Sequence, residues 1–226
     1  SRHDDLLPRV DRRDAAGDLM LGGLFLLLAW LLSGCAQHAV EARLPPSTVR
    51  VPVACEQYRR TITAEGRAVW GTAAPIALFG SQTAQESLCK AEAQSRFAAG
   101  LTQFTPDTAD DMLRWYVHEL NGCSYPFNAK CAIRAMVLYD LRLFLSVQWA
   151  ADRQEQDAIM LACYNGGCGW VARERAEAKR RAKSDRHWFG HIEQVCLREQ
   201  WACTENRLYP KRILYHWKPA FQLAGW

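Results

Sequence analysis

The feature that most constrains the fold is a helical periodicity that runs through most of the chain. From about residue 64 onward, apolar residues recur at three- and four-residue spacing in one segment after another. This spacing places apolar side chains along one face of an α-helix. Apart from Val49–Val53, no strand-like alternation extends beyond a few positions, so we expect a mainly α fold. The predicted helices span residues 66–88, 106–120, 130–150, 155–164, 171–186 and 204–222.

Several residues indicate how these helices lie and where they begin or end. Residues 130–150 carry the densest apolar pattern and should form the central buried helix. Pro106 suits the first turn of a helix, and the Asn-Gly-Gly run at 165–167 should end the helix before it. Pro210 should either interrupt or begin the last helix.

The domain organisation follows from length and from the position of the prolines. A chain of 226 residues can bury one sizeable core, so one globular domain is expected, and we assign it to residues 64–226. Residues 36–63 are predicted to be a tether, since three prolines break regular structure there. Residues 1–35 are predicted to be a signal or anchor segment.

This N-terminal segment contains an apolar run of 14 residues at 19–32. A membrane-spanning helix needs about 20 residues, so the run fits the core of a signal peptide better. The Leu-Ser-Gly-Cys sequence at its end resembles the bacterial lipobox, which implies lipidation of Cys35 after export. Ala36 would then favour the outer membrane. The mixed charges of residues 1–18 are atypical of signal peptides, so an uncleaved membrane anchor remains an alternative.

Eight further cysteines indicate an oxidising compartment. An even number of cysteines in an exported chain predicts up to four disulfides, with buried free thiols as the alternative. No CxxC pair or Cys/His cluster has the spacing of metal ligands, so we expect no metal and no cofactor. The eight residues are Cys55, Cys89, Cys123, Cys131, Cys163, Cys168, Cys196 and Cys203.

The stretch from Glu86 to Gln103 carries the clearest chemical signal. Glu86 ends an apolar segment, and a turn of small residues, the lone Gln103 and a Pro-Asp-Thr-Ala helix start follow. This order predicts one buried acid facing a groove that hydrogen-bonds a polar polymer such as a glycan. Leu78, Phe79 and Leu101 are the expected apolar neighbours of Glu86, and burial among them would raise its pKa.

Residues 85–109 resemble the lytic transglycosylase domain of the lysozyme-like superfamily. The shared features are Glu-Ser at 86–87, Ala-x-Ser at 93–95, Gly-Leu-x-Gln at 100–103 and Pro-x-Thr-Ala at 106–109. The turn before Gly-Leu-x-Gln is one residue shorter than in many members of that family.

Two more family motifs follow in the family's order, so the resemblance covers roughly residues 70–226. Cys-Tyr-Asn-Gly-Gly at 163–167 is similar to the family's Ala-Tyr-Asn-x-Gly. Glu-x-Arg-x-Tyr at 205–209 is followed by the basic-apolar pair Arg212-Ile213. Cys163 stands where Ala is common and Thr102 where Met is common.

The resemblance implies a lysozyme-like, two-lobed helical domain with a substrate groove, stabilised here by disulfides. It implies cleavage of the β-1,4 bond between N-acetylmuramic acid and N-acetylglucosamine in peptidoglycan. Glu86 would protonate the glycosidic oxygen and then, as a carboxylate, take the proton of the muramic C6 hydroxyl. That hydroxyl closes onto C1 and leaves a 1,6-anhydro end.

The resemblance also implies substrate-binding positions around this acid. These are Ser95, Gln103, Tyr164, Asn165 and Tyr209. Each has an alternative: Ser95 and Gln103 as turn caps, Asn165 as a helix end, Tyr209 as a core residue. A bridge between the cysteines flanking Tyr164 would fix its loop.

A second carboxylate would allow ordinary hydrolysis instead. The acids nearest in sequence are Glu92, Asp107, Asp110 and Asp111, and none is clearly placed as a nucleophile. Asp107 and Asp110 are interpreted as first-turn helix residues that favour the helix dipole.

Two other functions stay open: a hydrolytic lysozyme on the same fold, and a non-catalytic peptidoglycan-binding envelope lipoprotein. The net charge of +4 suits an anionic polymer but many plain domains share it. The expected partners are peptidoglycan strands, the membrane through the N-terminal segment or lipid, and an envelope-spanning secretion, conjugation or phage machine, with no nucleic acid. The expected location is exported: periplasmic and membrane-anchored, or associated with a phage virion or lysis.

Overall fold

The computed structural model of the protein describes residues 49–123, 126 and 128–226, which belong to one compact unit. The predicted signal or anchor segment 1–35, with the lipidation residue Cys35, lies outside the described residues. So does the tether up to residue 48. Within the described ranges, no helix is both long and apolar enough to cross a membrane.

The described residues are mainly helical and contain no strand, which confirms the predicted helical class. A 3₁₀ turn spans Ile192–Gln194, and a π-helix at Arg212–Trp217 joins the last two α-helices. The α-helices are α1 Val53–Glu56, α2 Arg59–Trp70, α3 Ile76–Ser87, α4 Pro106–Trp115, α5 Ala129–Ser146, α6 Arg153–Gly166, α7 Cys168–Arg180, α8 Gln200–Lys211 and α9 Lys218–Leu223.

The single helix expected over residues 66–88 is in fact two helices. α2 ends where Gly71 adopts a φ of 75°, which favours glycine, and α3 begins directly after Pro75. Helical structure also begins earlier than expected, within residues assigned to the tether. Cys55 of α1 and Ile62 of α2 are fully buried, so both helices pack against the core.

Two further helices are shorter than their apolar patterns suggest. α4 ends at Trp115 rather than at 120, because Tyr116 leaves the helical region of φ and ψ. α7 ends at Arg180 rather than at 186. There the amide of Lys183 donates to the carbonyl of Ala178, while Ala182 adopts a φ of 55°. This is the hydrogen-bonding pattern of a Schellman cap.

Pro210 lies inside α8 and does not end the last helical segment. The π-helix follows it, and Pro219 stands in the first turn of α9. Because proline has no N–H to donate, the backbone ladder loses bonds at both positions, and a wider turn between them is a common accommodation. The prediction of an interruption near Pro210 is therefore confirmed.

α5 is the central buried helix, as predicted. Ile133, Met136 and Val137 on it are fully buried. Two clusters of buried apolar side chains meet around α5 and α3, with Phe79 in one and Leu78 in the other. Tyr139 and Tyr164 pack against both clusters, and the cleft described below opens beside these two side chains.

Four disulfides tie the helices together, in agreement with the predicted four pairs. The bridge between Cys163 and Cys168 joins the last turn of α6 to the start of α7, across Gly167, the one residue between the two helices. The full set is Cys55–Cys89, Cys123–Cys131, Cys163–Cys168 and Cys196–Cys203.

The segment between α3 and α4 is a compact turn rather than a helix or sheet. Ala99 forms isolated bridges to Gln94 and to Phe104. Gly100 has a φ of 81°, and a Cβ there would lie 2.2 Å from the carbonyl oxygen of Pro126. Only glycine fits this position, so the Gly-Leu-x-Gln motif has a steric reason for its glycine.

We expect the Cys55–Cys89 bridge to contribute most to stability, because it closes the longest loop, with a sequence separation of 34. Cys55→Ala/Cys89→Ala should lower the free energy of unfolding by about 4 kcal/mol. The matched control Cys196→Ala/Cys203→Ala, with a separation of 7, should cost about 2 kcal/mol. Urea unfolding measures both, and equal losses would contradict the loop-length explanation.

Candidate active site

A cleft of about 400 Å³ gathers the predicted site residues from three distant stretches of the chain. Glu86 lies at the end of α3, and the segment between α3 and α4 supplies one wall. The ends of α6 and α8 supply the other. The cleft is lined by all six predicted residues, Glu86, Ser95, Gln103, Tyr164, Asn165 and Tyr209, and also by Gln85, Phe97, Ala98, Phe104, Thr105, Thr108, Tyr139 and Glu205.

The end of α3 is held in place from several sides. The hydroxyl of Ser87 donates to the carbonyl of Leu101 at 2.8 Å, which ties the helix end to the turn segment. Leu88 caps the helix in the left-handed region with a φ of 51°, and Cys89 is bonded to Cys55. These contacts fix the position of the Glu86 backbone relative to the cleft.

Glu86 is a half-buried acid with a strongly raised pKa. Burial raises the pKa of Glu86 to about 8, and the nearby carboxylates of Asp140 and Glu205 also raise it. Tyr209 donates a hydrogen bond to Glu86 Oε1, which stabilises the carboxylate and lowers the pKa. Near neutral pH Glu86 therefore keeps its proton while a hydrogen-bond donor already faces it.

Aromatic rings form the wall beside Glu86. Tyr164 and Tyr209 stack with ring centroids 6.3 Å apart and nearly parallel planes. Tyr139 contacts both Phe104 and Tyr164, with ring centroids 5.7 Å and 5.5 Å away, and those two rings also contact each other at 5.5 Å. The expected apolar neighbours Leu78, Phe79 and Leu101 lie fully buried in the core and do not line the cleft, so the apolar part of the cleft surface is mainly aromatic.

Ser95 and Gln103 line the cleft but also hold its turn together. The hydroxyl of Ser95 accepts from the amide of Ala98 at 3.0 Å. The side-chain amide of Gln103 donates to the carbonyls of Ala93 at 3.1 Å and Gly100 at 2.8 Å. Both side chains therefore make the turn-capping hydrogen bonds that the sequence offered as the alternative to substrate binding.

Tyr164 and Asn165 lie in the last turn of α6, which continues through Gly166. The Tyr164 hydroxyl donates to the carbonyl of Thr102 at 2.8 Å and so links α6 to the turn segment. Gly167, with a φ of 83°, ends the helix, so the expectation that Asn165 ends it is wrong. Asn165 instead lines the cleft.

The acids nearest in sequence to Glu86 lie outside this cleft. Asp107 occupies the first turn of α4 as predicted, whereas Asp110 lies beyond that turn and borders a neighbouring depression. Asp111 forms an ion pair with Arg114. Glu92 is exposed and does not line the cleft.

Sequence reasoning missed two acids that act on Glu86. Glu205 is exposed and lines the cleft, one helical turn before Tyr209 on α8. The four-residue spacing puts Glu205 and Tyr209 on the same face of α8, and this spacing could have identified Glu205 from the sequence. Asp140 is fully buried on α5, directly after Tyr139, where a charged residue interrupts an otherwise apolar face.

Within the described part of the chain, no group of three or more His, Cys, Asp or Glu side chains is arranged to hold a metal ion. Comparison of the sequence with protein-family models and with curated proteins found no match. The resemblance to lytic transglycosylases therefore depends on the motifs, and the geometry of the cleft stands independently of it.

Replacing Tyr209 with phenylalanine should raise the pKa of Glu86 above about 8, since the lost hydrogen bond favours the carboxylate. NMR titration of the Glu86 side-chain carboxyl carbon measures the shift. Tyr164→Phe is the matched control, because its hydroxyl bonds to the Thr102 carbonyl and should leave the Glu86 titration in place. A Glu86 pKa that falls or stays constant in Tyr209→Phe would refute this role of Tyr209.

Proposed function

We propose that the protein is a peptidoglycan lytic transglycosylase in which Glu86 acts first as an acid and then as a base. The observation that carries the proposal is the position of Glu86 in a cleft with aromatic side chains, where Tyr209 donates a hydrogen bond to it and burial raises its pKa to about 8. A general acid works best when its pKa lies near the working pH, and this site meets that condition. The proposal includes a lysozyme-like fold for the domain, with the cleft as its substrate groove.

In the first step, Glu86 gives its proton to the glycosidic oxygen and the bond between C1 of N-acetylmuramic acid and that oxygen breaks. Glu86 is then a carboxylate, and the hydroxyl of Tyr209 stabilises its charge. In the second step, the carboxylate takes the proton of the C6 hydroxyl, and O6 bonds to C1. Glu86 regains its proton, no water is consumed, and a 1,6-anhydro end remains.

The rest of the cleft suits a glycan strand. Tyr139 and Tyr164 offer ring faces for sugar rings, and Asn165 offers an amide for acetamido or hydroxyl groups. Ser95 and Gln103 shape the opposite wall. The roles of these residues in binding substrate are part of the proposal.

The cellular setting of the proposal follows from the cysteines and the N-terminal sequence. Four disulfides are consistent with an exported protein. Peptidoglycan is then accessible, and lipidation at Cys35 or the apolar segment would anchor the enzyme to a membrane. Local wall opening for an envelope-spanning secretion, conjugation or phage machine fits such an anchored enzyme.

Glu205 supports a second candidate, a hydrolytic lysozyme. Hydrolysis uses a second carboxylate as nucleophile or base, and Glu205 lines the same cleft as Glu86. Glu205 is exposed, on the cleft side of α8. We favour transglycosylation, because it needs no second carboxylate.

The variants Glu86→Gln and Glu205→Gln separate these functions. Glu86→Gln should abolish release of soluble muropeptides from purified sacculi, while circular dichroism shows an unchanged fold. Glu205→Gln should retain most of the release if the enzyme is a transglycosylase. Release by Glu86→Gln would refute the assignment of the acid, and loss of release in Glu205→Gln would favour the lysozyme. Binding to sacculi without release by the wild type would favour a non-catalytic envelope protein.

The pH dependence of the reaction should follow the proton of Glu86. Because burial raises its pKa to about 8, the acid form persists through neutral pH and is lost above it. The rate of muropeptide release at saturating substrate should therefore fall as pH rises through about 8. A rate that falls instead between about pH 4 and about pH 5, where an ordinary glutamate ionises, would contradict the geometry of the site.

A further inference from the structure

Asp140 lies directly behind the cleft and has no role in the mechanism above. It is fully buried, as is Gln82 of α3, whose side-chain amide donates to Asp140 Oδ1 at 3.2 Å. Gln82 precedes Glu86 by one helical turn, so both side chains lie on the same face of α3. A buried acid is therefore one hydrogen bond away from the face that carries Glu86.

The contact between Asp140 and Gln82 leaves two buried oxygens without partners. Among the described residues, neither Gln82 Oε1 nor Asp140 Oδ2 accepts or donates a hydrogen bond. A buried oxygen without a hydrogen bond costs about 1–3 kcal/mol. A proton on Asp140 Oδ2, donated to Gln82 Oε1, would satisfy both atoms and close a two-bond ring between acid and amide. An ionised Asp140 has no proton to give.

The charges around Asp140 also favour its neutral form. On α6, Asp157 pairs with Arg153 at 2.9 Å and with Lys218 at 3.6 Å. Burial is the largest cause that raises the pKa of Asp140, the Gln82 hydrogen bond lowers it, the Asp157 charge adds a smaller increase, and the resulting pKa is about 8.

The other ionisable groups near Asp140 offer it no positive partner. Glu86 and Tyr209 face it from α3 and α8, and a negative charge on Asp140 would raise the pKa of each. Arg142, which follows on α5, lies over the ring of Trp115. On α2, Glu65 pairs with Arg134, nearly two turns earlier along α5. Among the described residues, no lysine, arginine or histidine forms an ion pair with Asp140.

Gln82 connects this buried acid to the site through Tyr209. Burial and the Glu86 charge raise the pKa of Tyr209, whereas the neighbouring Gln82 side chain lowers it. The Tyr209 hydroxyl in turn donates to Glu86. The order of contacts is thus Asp140, Gln82, Tyr209, Glu86. The orientation of the Gln82 amide decides whether Tyr209 meets a donor or an acceptor, and only a fixed amide keeps the Tyr209 proton directed at Glu86.

We propose that Asp140 is a positioning residue that stays neutral, pairs reciprocally with the Gln82 amide, and so keeps the Tyr209 hydroxyl directed at Glu86. The effect on catalysis depends on the proposed function, whereas the neutral acid–amide pair does not. The two parts are tested separately.

The stability of Asp140→Asn tests the neutral pair without any substrate. An asparagine amide makes the same two bonds to Gln82 as a protonated acid. The wild-type acid has a folded pKa of about 8, above its unfolded value, so its contribution is complete below about pH 4 and is lost as pH rises to about 8. The Tm of Asp140→Asn minus that of the wild type should therefore increase from about pH 5 to about pH 8. A difference that stays flat or decreases over this range would show that Asp140 is ionised in the folded protein, and would overturn the proposal.

Infrared spectroscopy provides a direct signature of the proton. Glu86→Gln removes the other protonated acid of the site, so a carboxylic-acid carbonyl band at neutral pH should remain and should disappear in Glu86→Gln/Asp140→Asn. Any band from the other buried acids is common to both proteins and cancels in the difference spectrum. Identical spectra would refute a neutral Asp140.

The positioning role is tested by comparing Asp140→Leu with Asp140→Asn. Leucine fills the space but leaves the Gln82 amide without its partner, so the kcat of muropeptide release should fall at least about 10-fold while KM changes little. Asparagine should restore most of that loss. Equal losses in both variants, each with a folded circular dichroism spectrum, would refute the positioning role. A wild-type enzyme without any release would refute the proposed function, and the stability and infrared results would still decide the pair.

Discussion

The hydrogen bond from Tyr209 to Glu86 joins two parts of the chain that are 123 residues apart, and the cleft depends on it. It holds the end of α8 against the end of α3, so that the turn segment and α6 close the remaining sides. The same bond stabilises the Glu86 carboxylate against a burial that favours the acid. The pKa of Glu86 thus reflects a balance between desolvation and one well-placed donor.

Two buried acids in one small region reduce stability as pH rises. Glu86 and Asp140 both have folded pKa values of about 8, so their protonated forms are favoured by the fold and each contribution is lost between about pH 4 and about pH 8. Disulfides offset this cost near the helix ends that supply cleft residues: Cys55–Cys89 follows the end of α3, and Cys163–Cys168 links α6 to α7. A site that is less stable than an apolar core, supported by covalent links, is typical of functional regions.

The sequence predicted the helical class and the six residues that meet in the cleft, because motif order and helical periodicity are local properties. It did not predict the break between α2 and α3, since the apolar spacing continues through Gly71 and only the positive φ of that residue ends the helix. It also missed Glu205 and Asp140, whose importance depends on which helices pack together. The contacts of Ser95 and Gln103 within the turn were foreseen only as an alternative, because side-chain capping and substrate contact need the same residue types.

Whether water enters the product tests the central claim most directly. Purified sacculi digested by the enzyme in water labelled with heavy oxygen should release muropeptides with 1,6-anhydro ends and no label, as measured by mass spectrometry. This result is expected because, in the proposed reaction, O6 of the same sugar forms the new bond to C1 after Glu86 takes its proton. Products with reducing ends that carry one labelled oxygen would contradict the account and identify a hydrolase.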